Sequence, residues 1–142
     1  MCSSDLAKYQ EALFAADWSY GRLFAVHLSP KGATYTAEVE TFLSASGLPI
    51  SDLAVSPRDG MLYFVTGGRG TQSGLYRVAY RGAESTAPSP SRPWDEGTLA
   101  LHAERRRLET FHGAPAPAAL ENAWPRLAHE DRAIRAAARI AL

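Results

Sequence analysis

The sequence predicts consecutive antiparallel β-sheet units followed by a set of short helices, and three observations carry that expectation. Between Leu48 and Gly82, in LPISDLAVSPRDGMLYFVTGGRGTQSGLYRVAYRG, strand signals at Ser51 to Pro57, Met61 to Thr66 and Leu75 to Tyr80 are separated by the turn Pro57-Arg58-Asp59-Gly60 and the glycine-rich Gly67 to Gly74. A looser triplet precedes them at Ala12 to Trp18, Arg22 to Leu28 and Glu38 to Ser44. Such repetition is the pattern of β-propeller blades, so about two antiparallel blades are expected. Helical spacing then takes over from Thr98 onward.

Within the strand region, Leu62 and Phe64 alternate, as do Leu75, Arg77 and Ala79, whereas Leu53 to Val55 reads as a buried run. Residues 9–82 are therefore assigned to the partial propeller. Residues 83–97 form a proline- and serine-rich linker without periodicity, and residues 98–142 are helical. Leu120, Ala123, Trp124 and Leu127 fall at i, i+3, i+4 and i+7; Ile134, Ala137, Ala138 and Ala141 repeat that spacing. Leu101, Leu108 and Phe111 make a thinner stripe. Pro125 removes a backbone donor and biases Trp124 away from helical angles, so a kink or early end is expected there. Glu130 and Asp131 are expected in the first turn of the last helix, where a negative charge favours the helix dipole.

Of the 142 residues, 46% are hydrophobic and 21% charged, and the formal net charge is zero. The chain lacks the excess of Lys and Arg that a nucleic-acid surface shows. No apolar run approaches the roughly 20 residues that a membrane-crossing helix needs. Residues 1–8 are expected to lie outside the fold as a sequencing scar and disordered start, because Cys-Ser-Ser-Asp-Leu is what one frame of a widely used sequencing adapter encodes. That sets aside Cys2, the only cysteine, as a nucleophile or disulfide partner. Leu142 stops inside a helical pattern without Gly, Asn or Pro, so the chain is expected to be an internal fragment of a longer protein.

Two segments carry a resemblance. SDLAVSPRDGMLYFVTGG followed by GLYRV resembles the blades of soluble quinoprotein glucose/sorbosone dehydrogenase-like propellers, and HEDRAIRAAARIAL resembles the second helix of a HEAT repeat. The order is similar to that of large exported planctomycete-type proteins, many of which end in a haem-binding domain. The resemblance implies a β-propeller fragment with a truncated HEAT-like helical segment. It implies a sugar or alcohol dehydrogenase-like parent located in the periplasm or outside the cell, with pyrroloquinoline quinone as its cofactor. Further blades and HEAT helices of the parent would be its partners. Cys-x-x-Cys-His is absent from the sequence, so a haem site would lie outside this chain. The alternative is a non-catalytic propeller that binds a glycan or protein, with the helices as a docking array.

Blade geometry predicts a rim that gathers Asp17, Trp18 and Tyr20, Asp52 at the entry to the next blade, and Arg69, Thr71 and Gln72 from the glycine-rich loop. Of these, Arg69, Asp52, Trp18 and Gln72 are the candidate cofactor-binding residues: a guanidinium suits a polycarboxylate, and an indole stacks on a ring. The competing readings are structural. The glycines serve a turning loop, Arg69 and Asp52 brace two strands as an ion pair, and Asp17 is a turn acid. GGRGTQSG lacks the Lys-Ser/Thr of a phosphate loop and is followed by a strand signal. His27, His102, His112 and His129 show no metal-ligand spacing and read as surface or packing residues. Arg105 to Arg107 read as a solvated helix face. No catalytic residue and no metal ligand is assigned.

Overall fold

The computed structural model describes residues 7–68, 70–88, 93–113 and 116–142. The expected scar through Leu6, Arg69 and part of the linker lie outside the described residues. The chain is mixed α/β, with two open antiparallel three-stranded sheets and three α-helices. It divides into two compact units, Met1–Leu28 with Ala37–Ser91, and Ser29–Thr36 with Arg92–Leu142.

The first unit holds both sheets. Strands β1 (Leu13–Asp17), β2 (Arg22–Lys31) and β3 (Thr34–Ser44) follow one another in a meander, as do β4 (Ile50–Val55), β5 (Leu62–Thr66) and β6 (Gly74–Val78). All six overlap the expected spans, but β2 runs on to Lys31, past the expected Leu28, and β3 begins at Thr34, ahead of the expected Glu38. The register runs from Leu13 opposite Val26 to Asp17 opposite Arg22, and from Val55 opposite Leu62 to Ile50 opposite Thr66. The turn at Pro57 closes through Gly60 N–H donating to the Ser56 carbonyl (2.8 Å) and Ser56 N–H to the Met61 carbonyl (2.9 Å), with Gly60 at φ 70°. Its Asp59 accepts from the Tyr63 hydroxyl at 2.8 Å.

Alternation decides which side of each strand is buried. Leu62, Phe64 and Thr66 of β5 face inward, and Leu23, Ile50, Leu62 and Phe64 form the core of this unit. Phe14, Phe42, Leu48 and Val78 pack against it. Tyr9, Phe14 and Phe42 add edge-to-face contacts with ring centroids 5.0 Å apart for Tyr9–Phe42 and Phe14–Phe42. At Gly21 the left-handed backbone (φ 65°) is required. Its carbonyl accepts from Ala45 N–H at 3.0 Å, and a Cβ there would sit 2.4 Å from the Ala45 carbonyl oxygen.

The second unit holds α1 (Glu96–Glu109), α2 (Pro117–Ala123) and α3 (Arg132–Ile140), together with the tip of the β2–β3 hairpin. Helix α1 begins inside the stretch expected to be linker, because Asp95 accepts from both the Thr98 amide (2.9 Å) and its hydroxyl (2.7 Å) as an N-cap. Helix α2 ends at Ala123, where Pro125 stops it, and a 3-10 turn follows at Trp124–Arg126. The expected reason is corrected: Trp124 keeps helical angles (φ −55°, ψ −48°), so the break lies in the donor missing at Pro125. The stripe on α2 holds in part: Ala123 is buried and Leu127 packs against the core, but Leu120 and Trp124 face solvent and Ala119 is buried in their place.

Helix α3 carries its stripe as expected, with Ile134, Ala137, Ala138 and Ala141 buried beside Leu108 and Ala123. One further member of this core is not helical. Ala33, at the hairpin tip, is fully buried among these residues. Its N–H donates to Asp131 Oδ2 (2.9 Å) and its carbonyl accepts from the Arg105 guanidinium (3.2 Å). Asp131 is the N-cap of α3 rather than a first-turn residue, accepting through Oδ1 from Ala133 (2.7 Å) and Ile134 (3.2 Å). One carboxylate therefore caps a helix and anchors a turn 98 residues away in sequence.

Candidate functional site

The turn between β1 and β2 holds three of the residues expected at a rim, Asp17, Trp18 and Tyr20. Asp17 Oδ1 accepts from the amides of Ser19 (2.9 Å) and Tyr20 (3.1 Å), and Gly21 N–H donates to the Asp17 carbonyl (3.1 Å). Asp17 is thus a turn acid in an Asx arrangement. The closed turn holds Trp18, whose indole N–H donates to the Gly67 carbonyl at 3.0 Å. Gly68 lies so close that a Cβ on it would be 3.0 Å from the indole ring. Gly68 has φ 100°, a value that a side chain would strain. The Ser51 hydroxyl donates to the same Gly67 carbonyl at 3.3 Å, so two elements besides the loop itself fix this point.

Trp18 remains 40% exposed and Tyr20 75% exposed. The Arg22 guanidinium stands 5.8 Å from the centroid of the Tyr20 ring. The result is a pair of solvent-facing aromatic rings on an immobilised turn, with one cation beside them.

Of the candidate residues, Trp18 meets the glycine-rich loop as expected. Asp52 follows a β-bulge between Ile50 and Asp52 and lines a shallow concavity on the β4–β5–β6 sheet with Ala54, Tyr63, Val65 and Leu75. Its Oδ1 accepts from the Leu53 amide at 2.8 Å. In its place Ser51 reaches the Trp18 acceptor. Gln72 is exposed after the Gly68–Thr71 turn, which closes through Thr71 N–H (3.0 Å) and Oγ1 (2.7 Å) donating to the Gly68 carbonyl. Arg69 lies outside the described residues.

Pyrroloquinoline quinone, which the resemblance implies, is a flat tricarboxylate. The described rim meets it with flat rings but a single guanidinium, Arg22, and the acid Asp17 stands directly opposite that cation in the strand register. Arg69, the residue expected to meet its carboxylates, lies outside the described residues, and no step is derived through this ligand.

A second cluster escaped the sequence reading. Glu40 accepts from Lys8 Nζ at 2.7 Å and faces His27 Nε2 at 2.9 Å. The hydrogen bond from Lys8, then that from His27, lowers the Glu40 carboxyl from 4.5 to about 2, and Lys8 is raised in turn by Glu40. A depressed carboxyl stabilises the fold above its ordinary range and loses that contribution as pH falls toward the folded value. Carboxyl titration of Glu40 by NMR is expected to show a midpoint near 2 that rises on Lys8→Met; a midpoint at the ordinary 4.5 in the unsubstituted chain would contradict the pairing. Lys8 and Glu40 are 32 residues apart, and only the position of β3 beside β2 brings Glu40 to His27.

The remaining histidines serve the helical unit. His102 is buried against Tyr35 (4.9 Å between centroids) and Trp94 (5.0 Å), His112 bonds to the Ala137 carbonyl (2.9 Å), and His129 Nδ1 accepts from the Asp131 amide (2.9 Å). Among the described residues, no group of three or more His, Cys, Asp or Glu side chains is placed to hold a metal ion, and no helix is long and apolar enough to cross a membrane. Comparison of the chain with protein-family models, curated proteins and solved structures finds no match.

Proposed function

We propose that the chain contributes two adjacent propeller-type blades to a carbohydrate-binding protein, with the β1–β2 turn and the glycine-rich loop as the sugar-contacting rim. The observation that carries this reading is the closed aromatic turn, in which the Trp18 ring is tied to Gly67 and loses little side-chain freedom on binding, with the exposed Tyr20 ring two residues on. An apolar ring face beside polar edges suits a pyranose, whose C–H face is apolar and whose hydroxyls are not. The blade reading is supported by two successive meanders of equal strand number whose first strands, β1 and β4, approach each other while both sheets feed one core.

In a sugar-dehydrogenase-like protein of the kind the blade motif resembles, this rim would bind and orient sugar. A dehydrogenation there would need a base to take the hydroxyl proton and a redox cofactor to take the hydride, both in addition to this rim. Titration of the chain with neutral and acidic oligosaccharides is expected to give saturable binding. Trp18→Ala and Tyr20→Ala should each weaken it by roughly five-fold or more, equivalent to about 1 kcal/mol of stacking. Binding that neither substitution alters, or no binding to any saccharide, would overturn the reading.

A further inference from the structure

We infer that the saccharide taken by this rim is acidic, a uronate- or sulfate-bearing sugar recognised through Arg22. The inference rests on the rim reading above and adds the charge of the ligand to it. Arg22 opens β2 immediately after the turn and is exposed. Among the described residues no carboxylate lies within ion-pair distance of its guanidinium. The acid best placed to pair with it is Asp17, directly opposite in the register. Asp17 Oδ1 is engaged instead by the Ser19 and Tyr20 amides, which close the turn. Asp17 keeps its charge and closes the turn through Oδ1, and it makes no ion pair with Arg22, whose exposed guanidinium is left to meet a ligand.

The position of that cation gives it a ligand to meet. It stands 5.8 Å from the centroid of the Tyr20 ring, so a pyranose lying against Tyr20 has its substituents within reach of the guanidinium. A guanidinium stays charged at all accessible pH and presents a planar fork that matches a carboxylate or sulfate, whereas a hydroxyl gains only a single ordinary hydrogen bond from it. One guanidinium corresponds to one acidic group per stacked sugar, a demand far smaller than that of a tricarboxylate.

The test compares an oligogalacturonate with a neutral galacto-oligosaccharide of the same length, titrated into the chain. The acidic sugar is expected to bind about five-fold more tightly, the ratio for an exposed charge pair of roughly 1 kcal/mol. Arg22→Gln should bring the acidic-to-neutral affinity ratio back to about one, and added salt should shrink that ratio in the unsubstituted chain. Arg22→Lys, which keeps the charge without the fork, should retain part of it. Equal affinity for both sugars would overturn the inference and leave the rim reading standing. Preference for the acidic sugar that survives Arg22→Gln would place the recognising cation elsewhere and also overturn it. Absence of binding to either sugar would overturn both.

Discussion

Replacing Asp131 by alanine is expected to destabilise the helical unit by about 2–4 kcal/mol, because one substitution removes a helix cap and the anchor of the hairpin tip. Loss of the cap leaves the Ala133 and Ile134 amides without their acceptor. Loss of Oδ2 leaves the Ala33 amide unsatisfied, and Ala33 is a fully buried residue. Asp131→Asn keeps an acceptor for the cap but sets a donor against the buried Ala33 amide, and should cost about 1–3 kcal/mol. Urea unfolding of the two variants checks the order; equal stability of Asp131→Ala and the unsubstituted chain would contradict it.

The same residue gives the helical unit a predictable acid limb. Burial raises the Asp131 carboxyl, but the hydrogen bonds from Ala33, Ile134 and Ala133, with the nearby His129, outweigh it and leave the group lowered. Its stabilisation is therefore present above the ordinary aspartate range and is lost as pH falls through the folded value. Asp131→Asn should flatten that part of the stability profile.

Ile134→Ala is expected to cost about 2–5 kcal/mol. Ile134 is fully buried in a core whose other members are mostly alanines, together with Leu108. Alanines hold their places through short backbone separations and cannot move to refill the space of a lost sec-butyl group, so the cavity term adds to the lost transfer energy. With a marginal total of the usual size for a small unit, that loss is large enough to be seen as partial unfolding at ambient temperature. Ile134→Val should cost about 0.5–1.5 kcal/mol. Thermal melts that leave Ile134→Ala within the error of the unsubstituted chain would contradict the assigned core.

The strands were legible because their signals are local. Alternation in Leu62 and Phe64 and the Pro57–Gly60 turn report the surroundings of each residue to its near neighbours in sequence. The stripe on α3 was legible for the same reason. On α2 half of the stripe held: Ala123 and Leu127 face the core, but with Pro125 ending the helix the small Ala119 packs inward and Leu120 and Trp124 are left outside. The role of the hairpin tip had no local signal. Lys31-Gly32-Ala33-Thr34 reads as a solvated turn, and the residues that bury Ala33 begin at Leu101.

The candidate rim divided along the same line. Trp18 and Gly67 of the glycine-rich loop meet through the indole N–H, across 49 residues of sequence. Asp52, expected at the entry to the second triplet, lies inside β4 just after the bulge between Ile50 and Asp52, an irregularity without a local sequence signal. Arg22 was passed over, since a charged residue opening a strand looks like surface until the Asp17 that faces it is seen to be closing the turn.

The rim is tested most directly by mapping amide and indole chemical shifts while an oligosaccharide is added to the chain. The account predicts saturable shifts concentrated at the Trp18 indole N–H, Tyr20, Arg22 and Gly68. Shifts confined to the helical unit, or absent from the Trp18 indole at saturation, would contradict it.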